Sequence, residues 1–431
     1  MLTSIKIEKL FDIFDYNIEF KKEGITILTG PNGYGKTTIL KILDALDSQN
    51  GFFFLRLQFK KIVLNFSDRD TITLEKKEKK SIWINGSDAH WNIKSLDKML
   101  RGIPFFRQFD GKTWMDERTG ELYEKEDLFQ KVISDFPKLA SNVDFGRTDI
   151  DIGRISQFLK SPFPRVYFIS SQRLLRPISY TKSNRHREFL EKEVNTFSNT
   201  IEEYAKELCN NIRDVLAKSS QTAQILDSSF PRRLFEQTYN ISESDFNQRF
   251  EKIKDIQKSL SQYGLSDIEE DNHPTYKEEN AKALSVYIDD TEKKLAIFSE
   301  LLEKLRTFID ILNERRFTFK KIAISKEDGF KFTTDNGLPL ELGDLSSGEQ
   351  QEVVLLYELL FKVKEGTLVL IDEPELSLHV VWQKQFLDDL FKIIELQKID
   401  IVVATHSPQI INNRWDLEVD LEVLHNASAS K

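Results

Sequence analysis

Residues 30–37 read Gly-Pro-Asn-Gly-Tyr-Gly-Lys-Thr, directly after the apolar run Ile25-Thr-Ile-Leu-Thr29 and directly before residues with helical spacing. This G-x-x-x-x-G-K-T pattern in that setting allows few folds: a buried strand must deliver the chain into a tight glycine turn, and a helix must begin where the turn ends. Backbone N–H groups of Asn32, Gly33 and Gly35 then curl around a phosphate, and the helix N-terminus adds partial positive charge. Lys36 is placed to reach β and γ phosphates, the Thr37 hydroxyl to ligate Mg²⁺, and Thr38, one place further on, to contact an α phosphate. A glycine turn with a chance Lys-Thr is the weaker reading, because strand and helix flank it on the correct sides.

Three later segments supply what a phosphate loop needs. Leu368-Val-Leu-Ile-Asp372-Glu373-Pro374 is an apolar run ending in two acids, the pattern of a buried parallel strand whose carboxyl end faces a ligand crevice. Asp372 is placed to bind Mg²⁺ directly or through water, and Glu373 to orient or deprotonate a water attacking the γ phosphate. Alone, the pair reads equally well as caps of the next turn. Leu345-Ser-Ser-Gly-Glu-Gln350 opens a helix, with Ser346 and Ser347 as capping residues and Gly348 permitting close approach. Ile401-Val-Val-Ala-Thr405-His406-Ser407 is a further buried strand whose exit carries a Thr and a His, where a lone His is more often structural than catalytic.

With 431 residues the chain has room for two or three domains, and 40% hydrophobic with 30% charged residues is a globular balance that excludes a wholly disordered or fibrous protein. Sixty-one Lys and Arg against 70 Asp and Glu leave a net charge of −9, so contact with nucleic acid requires a local basic face. The single Cys209 excludes an internal disulfide framework and a Cys-based zinc site. No apolar run approaches the ~18 residues of a spanning helix, and the start lacks a signal-peptide core, so the expectation is a cytoplasmic protein without membrane contact.

Strand-like Ile5–Ile7, Tyr16–Phe20 and Ile25–Thr29 form one part of an α/β core with the helix from Lys36. The helix from Gly348 to about Lys362, the strand Thr367–Ile371, the helix Val380–Glu395 and the strand Ile401–Ala404 form the other. Between them, residues 47 to about 165 alternate in the manner of hairpins added to the core sheet. Residues from about Asn184 to Arg316 turn helical, with breaks at Ser228-Ser-Phe-Pro and Asp271-Asn-His-Pro cutting them into several helices. One unbroken hairpin there would be about 100 Å long, and the breaks shorten it. The expected division is 1–182 for the first half of the core with its β-rich addition, 183–316 for a helical insertion serving as a partner or dimer platform, and 317–431 for the second half. Ala427-Ser-Ala-Ser-Lys431 reads as a frayed tail.

GPNGYGKT, LSSGEQQ, LVLIDEPELSLH and VVATHS occur in the order and relative spacing of ABC-type ATPase heads, and the chain resembles their SMC, RecF and OLD-like branch. The resemblance implies an α/β fold, an ABC-type P-loop ATPase head with added β hairpins and a helical insertion, that binds ATP with Mg²⁺ and hydrolyses it through Lys36, Glu373 and His406. LSSGEQ becomes the signature motif, in which Ser346, with Gly348, contacts the γ phosphate held by an opposite subunit, so that two heads sandwich two ATP molecules. Glu375 to His379 becomes the D-loop region and His406 the switch histidine. Gln172, at the end of Val166-Tyr-Phe-Ile-Ser-Ser-Gln172-Arg173, becomes the Q-loop residue that binds Mg²⁺ or the attacking water. The chain departs from the family at Ser347, where a glycine is common, and marks no adenine-stacking tyrosine. Phe14 and Tyr16 are the candidates for that role.

Within the branch, the modest insertion and the phrases YFISSQRLL, SSFPRRLFEQ and GPNGYGKTTIL are similar to the PtuA-like ATPases of Septu and retron anti-phage defence, which pair an ATPase with a separate HNH nuclease. OLD-like nucleases carry a TOPRIM domain after the switch histidine, whereas 25 residues follow His406 here. The six histidines, His90, His186, His273, His379, His406 and His425, make no HNH arrangement, and Asp149-Ile-Asp151 reads as a surface turn. The resemblance therefore implies a homodimer or higher oligomer, an HNH-type nuclease partner, and DNA or retron RNA/DNA as a further contact. Lys76-Lys-Glu-Lys-Lys80, Arg185-His-Arg187, Arg232-Arg233, Arg315-Arg316, Trp83, Trp91 and Trp114 are candidates for that contact, although solvated charge and core packing are their commoner uses. The alternatives are a RecF- or SMC-like repair ATPase acting directly on DNA, with steeply salt-dependent DNA stimulation, and an ATP-sensing scaffold with little turnover. A transporter's ATPase subunit is disfavoured by the size of the insertion and by DEPELSLH.

Overall fold

The apolar runs that carry the glycine loop, the acid pair and the Thr-His exit lie side by side in one sheet, although more than 300 residues separate the first from the others. In the computed structural model, residues 2–48, 50–67, 71–78, 81–88, 105–110, 113–118, 120–124, 163–171, 173–177, 197–266, 274–315, 319–376 and 378–429 are described, with single positions 100, 128, 131 and 317. The chain opens with β1 (Leu2–Leu10), β2 (Phe14–Glu19) and β3 (Ile25–Thr29), then α1 (Lys36–Asp47), α2 (Gly51–Arg56), β4 (Lys61–Phe66), β5 (Ile72–Glu78), β6 (Ser81–Ile84) and β7 (Ser87–Asp88). A small sheet of β8 (Phe106–Gln108), β9 (Thr113–Asp116) and β10 (Leu122–Glu124) precedes β11 (Val166–Ile169) and the short pair β12 (Leu175–Pro177) and β13 (Phe197–Asn199). The helices α3 (Thr200–Glu236), α4 (Glu243–Gln262), α5 (Ala281–Ala296) and α6 (Ser299–Arg315) follow. Strands β14 (Lys320–Ser325), β15 (Gly329–Thr334) and β16 (Pro339–Leu340) lead to α7 (Ser347–Tyr357), which ends in a π turn at Glu358–Lys362. Then come β17 (Leu368–Asp372), α8 (Val380–Gln383), α9 (Phe386–Gln397), β18 (Asp400–Ala404), α10 (Pro408–Ile411), β19 (Glu418–Asp420) and α11 (Leu421–Ala429).

The central sheet has the order β11-β17-β18-β3-β19, with every neighbouring pair parallel. Its inner strands β17, β18 and β3 read as nearly continuous apolar runs because both faces are covered. Alternate residues divide between two cores: Ile25, Ile27, Val369, Ile371, Ile401 and Val403 face one, and Leu28, Leu368, Leu370, Val402 and Ala404 face the other. The second core holds α1, whose Ile39, Leu40, Ile42 and Leu43 are fully buried, each side chain stabilising the fold by about 1.5–3 kcal/mol relative to exposure. α1 is covered in turn by a six-stranded antiparallel sheet, β2-β1-β4-β5-β6-β7, through Ile5, Ile7, Ile62, Leu64 and Leu74. The hairpins expected on the core sheet therefore join β1 and β2 in a separate sheet. Their strict in-out alternation needs a surface with one face open, which the parallel sheet does not offer.

The first core continues into the four helices after β13. The break expected at Ser228-Ser-Phe-Pro is not a break: α3 runs through Pro231 for 37 residues. Proline removes one N–H and crowds the preceding turn, and in that turn side chains add bonds to carbonyls that the helix already uses. The Ser228 hydroxyl donates to Ile225 O at 2.9 Å, the Ser229 hydroxyl to Ile225 O at 2.9 Å, and Arg233 Nη2 to Leu226 O at 2.6 Å. Arg233 also forks onto buried Asp290 of α5, which locks the distal end of α3 to its neighbour. At the base of the insertion, α3 lies against β15, and Cys209 Sγ donates to Glu327 O at 3.0 Å. Tyr204 of α3 donates to Glu358 Oε1 at 2.6 Å and stacks on Tyr357 at 4.5 Å, so the insertion grips the end of α7. The helix expected over Val380–Glu395 is interrupted between α8 and α9, and residues to Ala429 of the expected tail are helical in α11. No helix among the described residues is long and apolar enough to cross a membrane.

Candidate nucleotide-binding site

At the carboxyl edge of the parallel sheet, β3 ends in the glycine loop, β17 in the acids and β18 in Thr405-His406, and β18 lies between the other two. Gly35 N-caps α1 at φ +87°, and a Cβ there would lie 3.0 Å from Leu10 Cδ2, so both conformation and space require glycine. No side chain caps α1 and no acid sits in its first turn, which leaves its N-terminal dipole directed at the cavity in front of it.

That cavity, of about 210 Å³, is lined by Asn32, Gly33, Gly35, Lys36, Thr37 and Thr38 from the loop and α1, by Glu373 and His406 from the neighbouring strand exits, and by Phe11. Lys36 is buried, and its Nζ donates to Gly30 O at 2.9 Å and Pro31 O at 3.3 Å. Nζ also lies 3.3 Å from His406 Nδ1. An ammonium can only donate, so Nδ1 accepts and the ring proton is assigned to Nε2. Burial lowers the Lys36 pKa, against the opposing pull of Glu373, Glu375 and Asp372.

The Thr37 hydroxyl donates to Asp372 Oδ1 at 2.9 Å. Burial raises the Asp372 pKa despite that bond, so the ionised carboxylate is costly where it stands. A hydroxyl and a buried carboxylate oxygen at the mouth of a phosphate loop are the hard donors that Mg²⁺ takes, with water and phosphate completing its shell. The residues present therefore fit the ion. The penalty on Asp372 is present above its raised pKa and disappears below the ordinary carboxyl value of about 4. Asp372→Asn is thus expected to raise the melting temperature at neutral pH without nucleotide by about 2–4 °C, a gain that shrinks as the pH is lowered toward about 4. The same variant should lose the thermal shift that Mg²⁺ adds to ATP. Scanning calorimetry across pH, with and without MgATP, checks both outcomes.

Glu373 has φ +46°, a strained backbone for a non-glycine residue, held by its N–H donating to Ala404 O at 2.8 Å. Its Oε1 lies 3.8 Å from His406 Nε2. The next acid, Glu375, accepts from Thr405 Oγ1 at 2.8 Å and from the His406 N–H at 2.6 Å.

Ser346 and Gly348 lie elsewhere. Ser346 caps α7 in a reciprocal box, its hydroxyl accepting from Glu349 N at 3.3 Å while Glu349 Oε2 takes the Ser346 N–H at 2.8 Å. Burial works against ionisation of Glu349, but Lys320 at 2.8 Å and the Ser346 donors outweigh it and hold its carboxyl below the usual range. Neither Ser346 nor Gly348 lines the cavity of its own chain.

Gln172, Asp149, Asp151, Trp91 and Arg185–Arg187 lie outside the described residues. Arg173, directly after Gln172, is buried, with Nε donating to Ser170 O at 2.8 Å and both terminal nitrogens without a hydrogen-bond partner among the described residues. Burial lowers its pKa, opposed by Glu358, Glu352, Asp372 and Glu375. Tyr16 is buried and donates to Tyr34 O at 2.8 Å, and Phe14 stacks on it between Tyr34 and His425. Neither lines the cavity; Phe11, in the left-handed turn between β1 and β2, does. Among the basic runs, Lys76 donates to Leu57 O at 2.8 Å, Lys77 sits 3.6 Å over the Trp83 ring, and Arg233 is bound to Asp290. Trp114 is core.

The sequence matches, over residues 25–412, the family described as "AAA domain, putative AbiEii toxin, Type IV TA system". No curated protein matches it. Among solved structures it is similar to the Smc head domain with an extended coiled coil bound to the C-terminal domain of ScpA, from Pyrococcus furiosus, at 14% identity over 96% of this chain and 91% of that one, TM-score 0.35. It is also similar to the SMC head domain from Thermotoga maritima, at 12% identity over 95% and 90%, TM-score 0.33. The family match runs from the first strand of the parallel sheet to beyond the Thr-His exit, and the chain belongs to this AAA-domain family of ATPases.

Proposed function

We propose that this chain is an ATP-hydrolysing head that works as a homodimer and controls a separate HNH-type nuclease in anti-phage defence. The observation that carries the ATPase part is the convergence of Lys36, Thr37, Glu373 and His406 from three strand exits on one cavity, with Asp372 bonded to Thr37 behind it. Lys36 leaves its own loop carbonyls for the β and γ phosphates, and the helix N-terminus holds the remaining charge. Thr37 and Asp372 would hold Mg²⁺, with Gln172 as a further ligand; the ion supplies neutralisation of phosphate charge. Glu373 orients and deprotonates the attacking water, and His406, beside Lys36, contacts the γ phosphate. Phe11 offers a ring beside the loop on which a base can stack.

Ser346 and Gly348 are outside their own chain's cavity, which supports their action on the nucleotide of a second head. The family description names a putative toxin of a toxin–antitoxin system, which fits a chain that takes part in a controlled toxic activity. The alternative, direct action on DNA, is weakened because Lys76, Lys77 and Arg233 are already engaged within the fold.

Lys36→Ala is expected to abolish binding of a fluorescent ATP analogue and hydrolysis together, while the melting temperature without nucleotide changes little. Retention of tight binding would overturn the site. Purification at mild salt with mass spectrometry tests the partner: an HNH nuclease in stable ratio supports the defence reading, and recovery with DNA and repair factors replaces it with the repair reading.

A further inference from the structure

His406 can serve the γ phosphate only if its backbone, at the exit of a strand, is fixed relative to Glu373. The Thr405 N–H donates to Leu28 O at 3.1 Å, which ties the exit to the glycine-loop strand. A second tie runs the other way. Pro374–Leu376 form one tight turn after β17, with Leu376 N–H donating to Glu373 O at 3.2 Å. This turn sends the Glu373 side chain to the cavity and bends Glu375 back beneath the β18 exit. There its two carboxylate oxygens separately take the Thr405 hydroxyl and the His406 N–H, at 2.8 and 2.6 Å. Charge-assisted bonds of this length are stronger than neutral ones. Buried Gln383 repeats the connection, its Nε2 donating to Leu378 O at 3.1 Å and its Oε1 accepting from Ser407 Oγ at 2.6 Å.

We infer that Glu375 is a positioning residue for hydrolysis, holding His406 at its working distance from Lys36 and Glu373 without itself touching the nucleotide. Glu375 is absent from the cavity lining, so its effect is transmitted through the backbone of His406. The inference rests on the ATPase reading above and deepens it by separating the group that deprotonates water from the group that places the histidine.

Glu375→Ala is expected to lower kcat by about 10- to 100-fold, the scale of a misplaced catalytic group. KM and the affinity for a fluorescent ATP analogue should stay within about twofold. Glu375→Gln, which retains one acceptor oxygen for the His406 N–H, should recover part of the loss. Thr405→Val removes only the hydroxyl arm and should show a smaller fall that is not additive with Glu375→Ala. If Glu375→Ala fails to fold, the Gln and Val variants carry the same test. Ring NMR of isotopically labelled histidine, with the His406 signal assigned by its loss in His406→Gln, should show that signal displaced in Glu375→Ala. This readout does not need turnover: an inactive wild type would overturn the ATPase reading, and the ring signal would still decide the position of His406. Unchanged kcat with an unmoved His406 resonance overturns the inference. So does a parallel loss of nucleotide affinity and kcat, which would mark a general structural role.

Discussion

Glu373→Gln is expected to reduce ATP turnover by about 100- to 10,000-fold, the range contributed by a positioned general base, while ATP affinity stays within about twofold. The substitution keeps size and hydrogen-bonding reach, so the turn at φ +46° and the N–H bond to Ala404 O survive it. What it removes is the carboxylate that faces His406 Nε2 across 3.8 Å. Binding rests on Lys36, Thr37 and the loop backbone, which the change leaves alone. In the dimer proposed above, ATP would then hold two heads together with no step to release them. Light scattering on the eluted protein should show dimer accumulating with ATP in Glu373→Gln, and monomer returning with Lys36→Ala. Turnover at the unmodified rate would remove Glu373 from the chemistry.

Gly329→Ala is expected to cost about 3–5 kcal/mol of stability, toward the exceptional end of the range for point substitutions. Gly329 has φ +81°, and a Cβ there would lie 1.9 Å from Ala205 O and 2.9 Å from Cys209 N. These are backbone atoms of α3, which cannot rotate aside, so helix and hairpin must separate. Gly337 is the control: it has φ +79° and no described residue within 4 Å of its missing Cβ, so Gly337→Ala carries only the backbone strain, about 1 kcal/mol. Urea midpoints of the two variants isolate the contact. Equal midpoints would show that the insertion does not rest on the hairpin as described.

The parallel sheet was readable because burial on both faces writes β3, β17 and β18 as unbroken apolar runs, and the glycine loop because phosphate chemistry restricts its residues. The bond from Thr37 to Asp372 joins positions 335 apart, yet each lies in a pattern that points to magnesium. Other parts left no such mark. A proline ends most helices, and the tie that holds α3 beyond Pro231 to α5, Arg233 forked onto Asp290, joins residues 57 apart and leaves no local mark. Phe11 reaches the cavity through a left-handed turn that its neighbours do not announce. Glu375 read as one acid in a D-loop region, because its partners, Thr405 and the His406 amide, are 30 residues away and one of them is backbone. Arg173 carries no local signal, since the acids that act on it, Glu358, Glu352, Asp372 and Glu375, all belong to the other half of the chain.

The grip of Tyr204 on Glu358 and Tyr357 makes the start of α3 a fulcrum, and the helix beyond it an unhinged lever. From Tyr204 to exposed Phe235 the arm spans 31 residues, about 46 Å at 1.5 Å per residue, so a tilt of about 5° at the fulcrum sweeps the far end through about 4 Å. The continuity of α3 through Pro231 keeps that arm from folding under load. A small rotation of α7, whose first residue is next to Ser346, would on this geometry become a side-chain-sized displacement at the remote end of the insertion.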